Sequence, residues 1–193
     1  MTEKIRQQIA RLESFSKRGE SYSDGHGRYG WRNPIREDTG PLLTALTLAA
    51  SPARVLEIGT AHGLSALYLV SGMPVGSVLQ TIEFDEAVAV DTQRRMDACG
   101  APVQVRCGEA LQVIGTLKGR FDLVFFDAQK DQYLPQLLAL VAQGRVGPGT
   151  LLLADNVVDR QAECGPFLDW IAENGLQHQV IPTACGLLVA KMH

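Results

Sequence analysis

Two short polar clusters follow apolar runs in the second half of the chain: Phe125-Phe126-Asp127-Ala-Gln-Lys130-Asp131 and Leu153-Ala154-Asp155-Asn156. If both runs are strands ending at one edge of a sheet, the carboxylates of Asp127 and Asp155 and the amide oxygen of Asn156 converge. Such a donor set is hard and all oxygen, which suits Mg²⁺ and leaves coordination positions for water and a substrate. Taken singly, an Asp at a strand end also reads as a helix cap, and Asp155-Asn156 as the start of a turn.

A third cluster lies earlier, where Val55-Leu-Glu-Ile-Gly-Thr-Ala-His-Gly-Leu-Ser65 passes from an apolar run through Gly59 and Gly63. It lacks the Gly-x-Gly-x-x-Gly fingerprint of a pyrophosphate site and the Gly-Lys-Ser/Thr of a P-loop, which disfavours a dinucleotide or ATP. What remains is a tight turn aiming free helix N–H groups, with the Ser65 hydroxyl nearby, at a small anion such as an amino-acid carboxylate. Farther on, Thr81-Ile-Glu83-Phe-Asp85 places an acid where nucleoside sites of this kind hold both ribose hydroxyls. A carboxylate anchor at one end and a ribose clamp at the other together describe S-adenosylmethionine. Ser65 also reads as a plain first-turn helix residue, and Glu57 as a solvated strand-end acid. His62 reads as structural: His26, His178 and His193 are scattered, and no second imidazole or thiolate stands at ligand spacing.

The elements that must position these groups alternate along the chain. The runs ARVLEI, SVLQTIEF, VQVR, FDLVFFD and TLLLAD are each followed by a helical pattern: Leu64 to Val70, Glu86 to Ala98, Glu109 to Leu117, Gln132 to Gln143 and Ala162 to Glu173. Strands lacking polar alternation are buried on both faces, and strand–helix–strand order calls for parallel crossovers. HQVIP and GLLVAKM, joined by a few residues, must instead form an antiparallel hairpin. The expectation is α/β, a doubly wound, mostly parallel seven-stranded sheet ending in that hairpin, with ligands beyond the carboxyl ends of its strands. Ahead of it, Ile5, Ile9, Leu12 and Phe15 predict an amphipathic helix over 2–17, and Pro34 introduces a second helix through Leu48. Between them Tyr22, Tyr29 and Trp31 stand in a glycine-rich polar segment, so 1–33 reads as an N-terminal helix plus a candidate substrate lid.

At 193 residues and 46% hydrophobic, the chain suits a single domain over 1–193. A net charge of -3 offers no general attraction to nucleic acid or to an anionic membrane. MTEKIRQQIARLE alternates charged and apolar residues where a signal peptide needs an apolar core, and no later stretch reaches the ~18 apolar residues of a membrane span. A cytoplasmic protein is expected. Cys99, Cys107, Cys164 and Cys185 form no Cys-x-x-Cys pair and read as reduced, structural thiols.

Val55 to Ser65, Thr81 to Asp85, Phe121 to Tyr133 and Gly147 to Asn156 resemble the motifs of cation-dependent O-methyltransferases, the catechol and caffeoyl-CoA enzymes among them. FDLVFFDAQKDQYLP followed by GPGTLLLADN is similar to the catechol enzyme's stretch around its metal ligands and catalytic lysine. The resemblance covers about 34–157. It implies a Rossmann-like class I methyltransferase in which Asp127, Asp155 and Asn156 bind the cation, Lys130 is the general base, Glu83 holds the ribose and Ser65 meets the methionine carboxylate. It further implies that Glu57, Gly59, Thr60 and Gly63 form the cofactor loop, that Asp127 reaches the cofactor too, that Ala110 sits by the adenine and that Ile35 approaches from the N-terminal side. The implied partner is a small hydroxylated molecule, and the bacterial members it resembles suggest a homodimer. Two departures stand out: VVDRQAECG is short where the family often has a longer substrate loop, and 176–185 lacks the carboxylate that binds the second catechol hydroxyl. Beside this reading stand a metal-independent methyltransferase acting on N or O, and an S-adenosylmethionine-binding protein without catalysis.

Overall fold

The computed structural model describes residues 1–18 and 34–193. Among these residues the chain forms helices α1 (Glu3–Arg18), α2 (Thr39–Ala50), α3 (Leu64–Gly72), α4 (Glu86–Cys99), α5 (Ala110–Thr116), α6 (Tyr133–Ala142) and α7 (Gln161–Glu173). The strands are β1 (Arg54–Ile58), β2 (Val78–Glu83), β3 (Val103–Cys107), β4 (Leu123–Phe126), β5 (Leu151–Ala154), β6 (Gln177–Ile181) and β7 (Leu187–Lys191). A single 3-10 turn, Lys130–Gln132, leads into α6.

The strands make one sheet in the order β3-β2-β1-β4-β5-β7-β6. The first five pair in parallel, and β7 pairs antiparallel with both β5 and β6. This is the expected doubly wound sheet with its terminal hairpin, and the hairpin's second strand lies inside. Composition explains the placement. Leu187, Leu188 and Ala190 of β7 are buried, whereas Gln177, His178 and Gln179 of β6 are exposed, so the polar strand takes the edge, where its free side meets water.

Every residue of β4 is buried, as continuous apolar strands require when helices cover both faces. Alternate residues of β1 feed two separate cores: Leu56 and Ile58 pack with α5, α6 and α7, and Val55 with α1, α2 and α3. Ile5, Ile9 and Leu12 of α1 are buried in the second core, as their spacing predicts. Tyr22, Tyr29 and Trp31, the aromatics expected on a substrate lid, lie outside the described residues.

One boundary differs from expectation: α2 begins at Thr39, five residues after Pro34. The proline that enters the helix is Pro41, in the first turn, where the N–H it lacks would have had no helical partner anyway. The neighbouring Asp38 makes no side-chain cap and instead accepts from the Ala184 N–H at 2.7 Å.

Chain order reverses between β1 and β4, which are neighbours although β2 and β3 separate them in sequence. The crevice at the carboxyl ends of such a pair is where open α/β sheets place ligands.

Candidate active site

A cleft of about 830 Å³ opens at this reversal. Ile35, Gly59, Thr60, Ser65, Glu83, Ala110, Asp127, Lys130 and Asn156 line it. Glu57, Gly63 and Asp155 lie just behind its wall: Glu57 is wholly buried, Asp155 is 2% exposed, and Gly63 caps α3. All twelve sequence-predicted residues therefore gather at one end of the sheet.

The first wall is the loop between β1 and α3. Gly59 and Thr60 donate their N–H groups to the Ile82 carbonyl at 3.0 and 3.2 Å, which ties the loop to β2. Gly59 has φ +105, and a Cβ there would stand 2.6 Å from the Asp127 carbonyl oxygen, so the turn and its approach to β4 both require glycine. Gly63, with φ +82, leaves the N-terminus of α3 without a side-chain cap. The first N–H groups of α3 thus remain available where Leu64 and Ser65 meet the cleft.

Between the glycines, Ala61 is held at φ +43, in the left-handed region that costs a non-glycine residue roughly 1–2 kcal/mol. Its N–H donates to Glu83 Oε2 at 2.9 Å and its carbonyl accepts from Thr92 Oγ1 at 2.8 Å. Arg95 Nη1 donates to the His62 carbonyl at 2.9 Å. Thr92 and Arg95 of α4 are buried and make this loop rigid. Sequence reading missed them, because they act on backbone carbonyls some thirty positions away and leave no local signal.

Glu83 is 4% exposed, with Oε1 accepting from the Asp85 N–H at 3.0 Å. Beneath the loop, Glu57 Oε2 accepts from the Thr81 hydroxyl at 2.5 Å. Burial pushes the Glu57 carboxyl up to about 8, opposed by Ser65 and Thr81, whose hydroxyls favour the ionised form. The Ser65 hydroxyl faces this carboxylate without well-formed hydrogen-bond geometry, and Oε1 has no other partner. Glu57 is thus not the solvated strand-end acid that its position also allowed, whereas Ser65 is a first-turn residue of α3 and is buried.

The second wall comes from the ends of β4 and β5. Lys130 Nζ lies 2.9 Å from Asp127 Oδ1, both side chains being nearly buried, and 5.4 Å from the centre of the Tyr133 ring. Burial raises the Asp127 pKa, against the opposing pull of the Lys130 ammonium. Asp155 is pushed up to about 7 by burial and then by the nearby Asp127 charge. Its Oδ1 is buried and has no hydrogen-bond partner. The Tyr133 hydroxyl, also missed in the sequence, donates to the Asp155 carbonyl at 3.2 Å and braces this strand end. Asn156 has φ +65, and its Nδ2 donates to both carboxylate oxygens of Asp159, at 3.1 and 3.2 Å.

Among the described residues no three His, Cys, Asp or Glu side chains form a metal-holding group by themselves. The oxygen set that the sequence assigns to a cation is two carboxylates, Asp127 and Asp155, plus the Asn156 amide. An orphaned, buried carboxylate oxygen beside a second carboxylate is the arrangement a hard cation fits, since it would supply the missing positive partner. The cleft also takes in Gln129, Gln132, Gln136, Asp159, Arg160 and Glu163, none of them singled out in the sequence. Arg160 and Glu163 pair with each other at the rim. The short segment after Asn156 runs straight into α7, as its length required.

A family model described as O-methyltransferase matches residues 29–162. Catechol O-methyltransferase of Bos taurus is 34% identical over 151 residues, covering 75% of this chain and 55% of that protein. Catechol O-methyltransferase of Niastella koreensis is 32% identical over 130 residues, 64% of this chain and 58% of that one. The chain thus spans little more than half the length of the curated relatives it matches. Among solved structures, an O-methyltransferase from Bacillus cereus in complex with SAH aligns at a TM-score of 0.79 and 22% identity, over 97% of this chain and 91% of that chain. At that identity the likeness establishes the fold, a Rossmann-like one.

Proposed function

The chain belongs to the O-methyltransferase family, and on that footing we propose that it transfers the methyl group of S-adenosylmethionine to a hydroxyl, of phenolic type, on a small molecule, with a divalent cation such as Mg²⁺ as cofactor. The observation that carries this reading is the cleft itself. One wall offers an uncapped helix N-terminus and Glu83, and the other offers Asp127, Lys130 and Asn156 with the buried Asp155 just behind them.

The free N–H groups of α3 and Ser65 receive the methionine carboxylate, and Glu83 the ribose hydroxyls, next to the loop N–H of Ala61 that it already holds. Ala110 lies beside the adenine, with Phe84, 76% exposed next to Glu83, as a further apolar surface. Asp127, Asp155 and Asn156 hold the cation, which supplies a Lewis acid that favours the ionised form of an acceptor hydroxyl. Lys130 takes the hydroxyl proton in its neutral form, so its contact with Asp127 must loosen before it acts. The acceptor oxygen then attacks the methyl carbon as the C–S bond breaks, and the rigid loop around Ala61 keeps donor and acceptor in line.

A single domain, a substrate lid within 1–33, a cytoplasmic setting and a homodimer extend the same reading. No helix among the described residues is long and apolar enough to cross a membrane. The Asp127–Lys130 pair favours a second reading, since it neutralises one carboxylate without any metal. Turnover of a panel of phenols and catechols, followed by mass spectrometry in EDTA and after Mg²⁺ is restored, decides between the two. The cation-dependent reading expects activity to vanish and return; full activity in EDTA after exhaustive dialysis would leave the metal-free one.

A further inference from the structure

The turn after β5 carries a contact that the cation reading leaves unexplained. Asn156 Nδ2 lies 3.1 and 3.2 Å from the two oxygens of Asp159. A carboxylate only accepts, so the contact determines which edge of the carboxamide faces it: the NH₂ edge turns to Asp159, and the oxygen edge is left for the cleft that Asn156 lines. Without that contact a terminal amide presents either edge, and one of the two points N–H groups at a cation.

The surrounding backbone is fixed firmly enough for the contact to matter. Val157, Val158 and Asp159 donate their N–H groups to the carbonyls of Gly186, Cys185 and Cys185, at 3.2, 3.0 and 3.3 Å. Gly186 has φ +78, and a Cβ on it would stand 2.3 Å from Val158 Cγ2, so the segment before β7 lies directly against the turn. The Asn156 carbonyl already accepts from the Arg160 N–H at 3.1 Å and the Cys164 thiol at 3.8 Å. Main chain and carboxamide are thus both held, and the side-chain oxygen is what this residue has to offer a ligand.

We propose that Asp159 is a positioning residue that sets the Asn156 carboxamide with its oxygen toward the cation. This rests on the reading of Asn156 as a cation ligand. Partners that orient metal ligands are typically worth 10–100-fold in metal affinity, roughly the effect to look for here.

The test is a Mn²⁺ titration by calorimetry, with S-adenosylhomocysteine present, on the wild-type chain, Asp159→Ala, Asn156→Asp and the double variant. Asp159→Ala is expected to weaken Mn²⁺ roughly 10–100-fold in the wild-type background. In the Asn156→Asp background the same change should cost nothing, because a carboxylate presents oxygen at either edge. Equal losses in both backgrounds would make Asp159 a direct ligand or a through-space charge, and would overturn the proposal. In the metal-free chain, the Asn156 side-chain NH₂ should exchange slowly with solvent by NMR and speed up in Asp159→Ala; no change there overturns it as well. A wild-type chain that binds no Mn²⁺ brings down the cation reading and the proposal with it, and the amide signals distinguish that failure from failure of the contact.

Discussion

Replacing Asp155 by Asn separates what a buried carboxylate does for function from what it does to stability. In the cation-free protein, burial and the Asp127 charge lift its pKa from 3.8 to about 7. On unfolding the carboxyl regains its ordinary value of ~3.9. A folded-state pKa above the unfolded one means that the native state holds the proton more tightly. Native stability is therefore undiminished below the unfolded pKa, falls as pH rises from 3.8 towards about 7, and stays low above that. Three units correspond to a ceiling of ~4 kcal/mol, at ~1.36 kcal/mol per unit. That value already contains the opposing pull of Lys130, whose charge favours the ionised Asp155. Asparagine carries no such titration, so in EDTA at pH 8 Asp155→Asn should exceed wild type by ~1–3 kcal/mol, and lose that advantage at pH 4. Urea unfolding at both pH values measures the difference. With Mg²⁺ at pH 8 the order should reverse, because only the wild type gains ligand stabilisation. A variant that is less stable than wild type in EDTA, by the same amount at both pH values, would show that the carboxylate is satisfied in the native state and that the burial argument fails.

Lys130→Met keeps length and an apolar stem but removes the base, so kcat should drop roughly 10²–10⁴-fold with S-adenosylmethionine affinity retained; a stopped-flow or steady-state kcat equal to wild type would leave the lysine without a catalytic role. Glu83→Ala should weaken calorimetric S-adenosylmethionine binding by about 1.5–3 kcal/mol per lost charged hydrogen bond, and an unchanged affinity refutes the ribose clamp. For the lid, removing 1–33 outright would strip Ile5, Ile9 and Leu12 from the core. Replacing 19–32 with a Gly/Ser linker is the sound perturbation: the acceptor KM should rise far more than the cofactor KM, and equal effects count against a lid.

What was legible in the sequence follows from which signals are local. The parallel strands could be read because burial on both faces leaves unbroken apolar runs such as LVFF and LLLA, and the helices between them called for parallel crossovers. Glu83 could be read because a strand-end acid at a fixed distance after a glycine turn is one local pattern. The start of α2 could not. Pro34 and Pro41 compete for the same role, and Asp38, a natural cap by type, bonds instead to a backbone N–H 146 positions away. Thr92, Arg95 and Tyr133 escaped for the same reason: each holds a carbonyl that only the tertiary fold brings near. Asp159 stood in plain view three residues after Asn156, yet its contact depends on a turn fixed by the segment before β7.

The distribution of cost in the molecule supports the same account of the site. Three non-glycine residues among those described have positive φ. Ser51 closes α2 as its C-cap, a role that helix ends commonly demand. Ala61 and Asn156 have no such architectural reason, and both lie on the cleft. Three buried or nearly buried carboxyls whose pKa values are raised, Glu57, Asp127 and Asp155, stand in the same place. A sheet with fully apolar strands such as β4 has no structural use for acids at its covered end, where each disfavours its own ionised form. Left-handed backbone and carboxyls that disfavour their own ionised form, gathered at one cleft among the described residues, are what the proposed cation site would call for. The two ligands proposed for it, a sulfonium-bearing cofactor and a divalent metal ion, both carry positive charge that would favour the ionised form of these carboxyls.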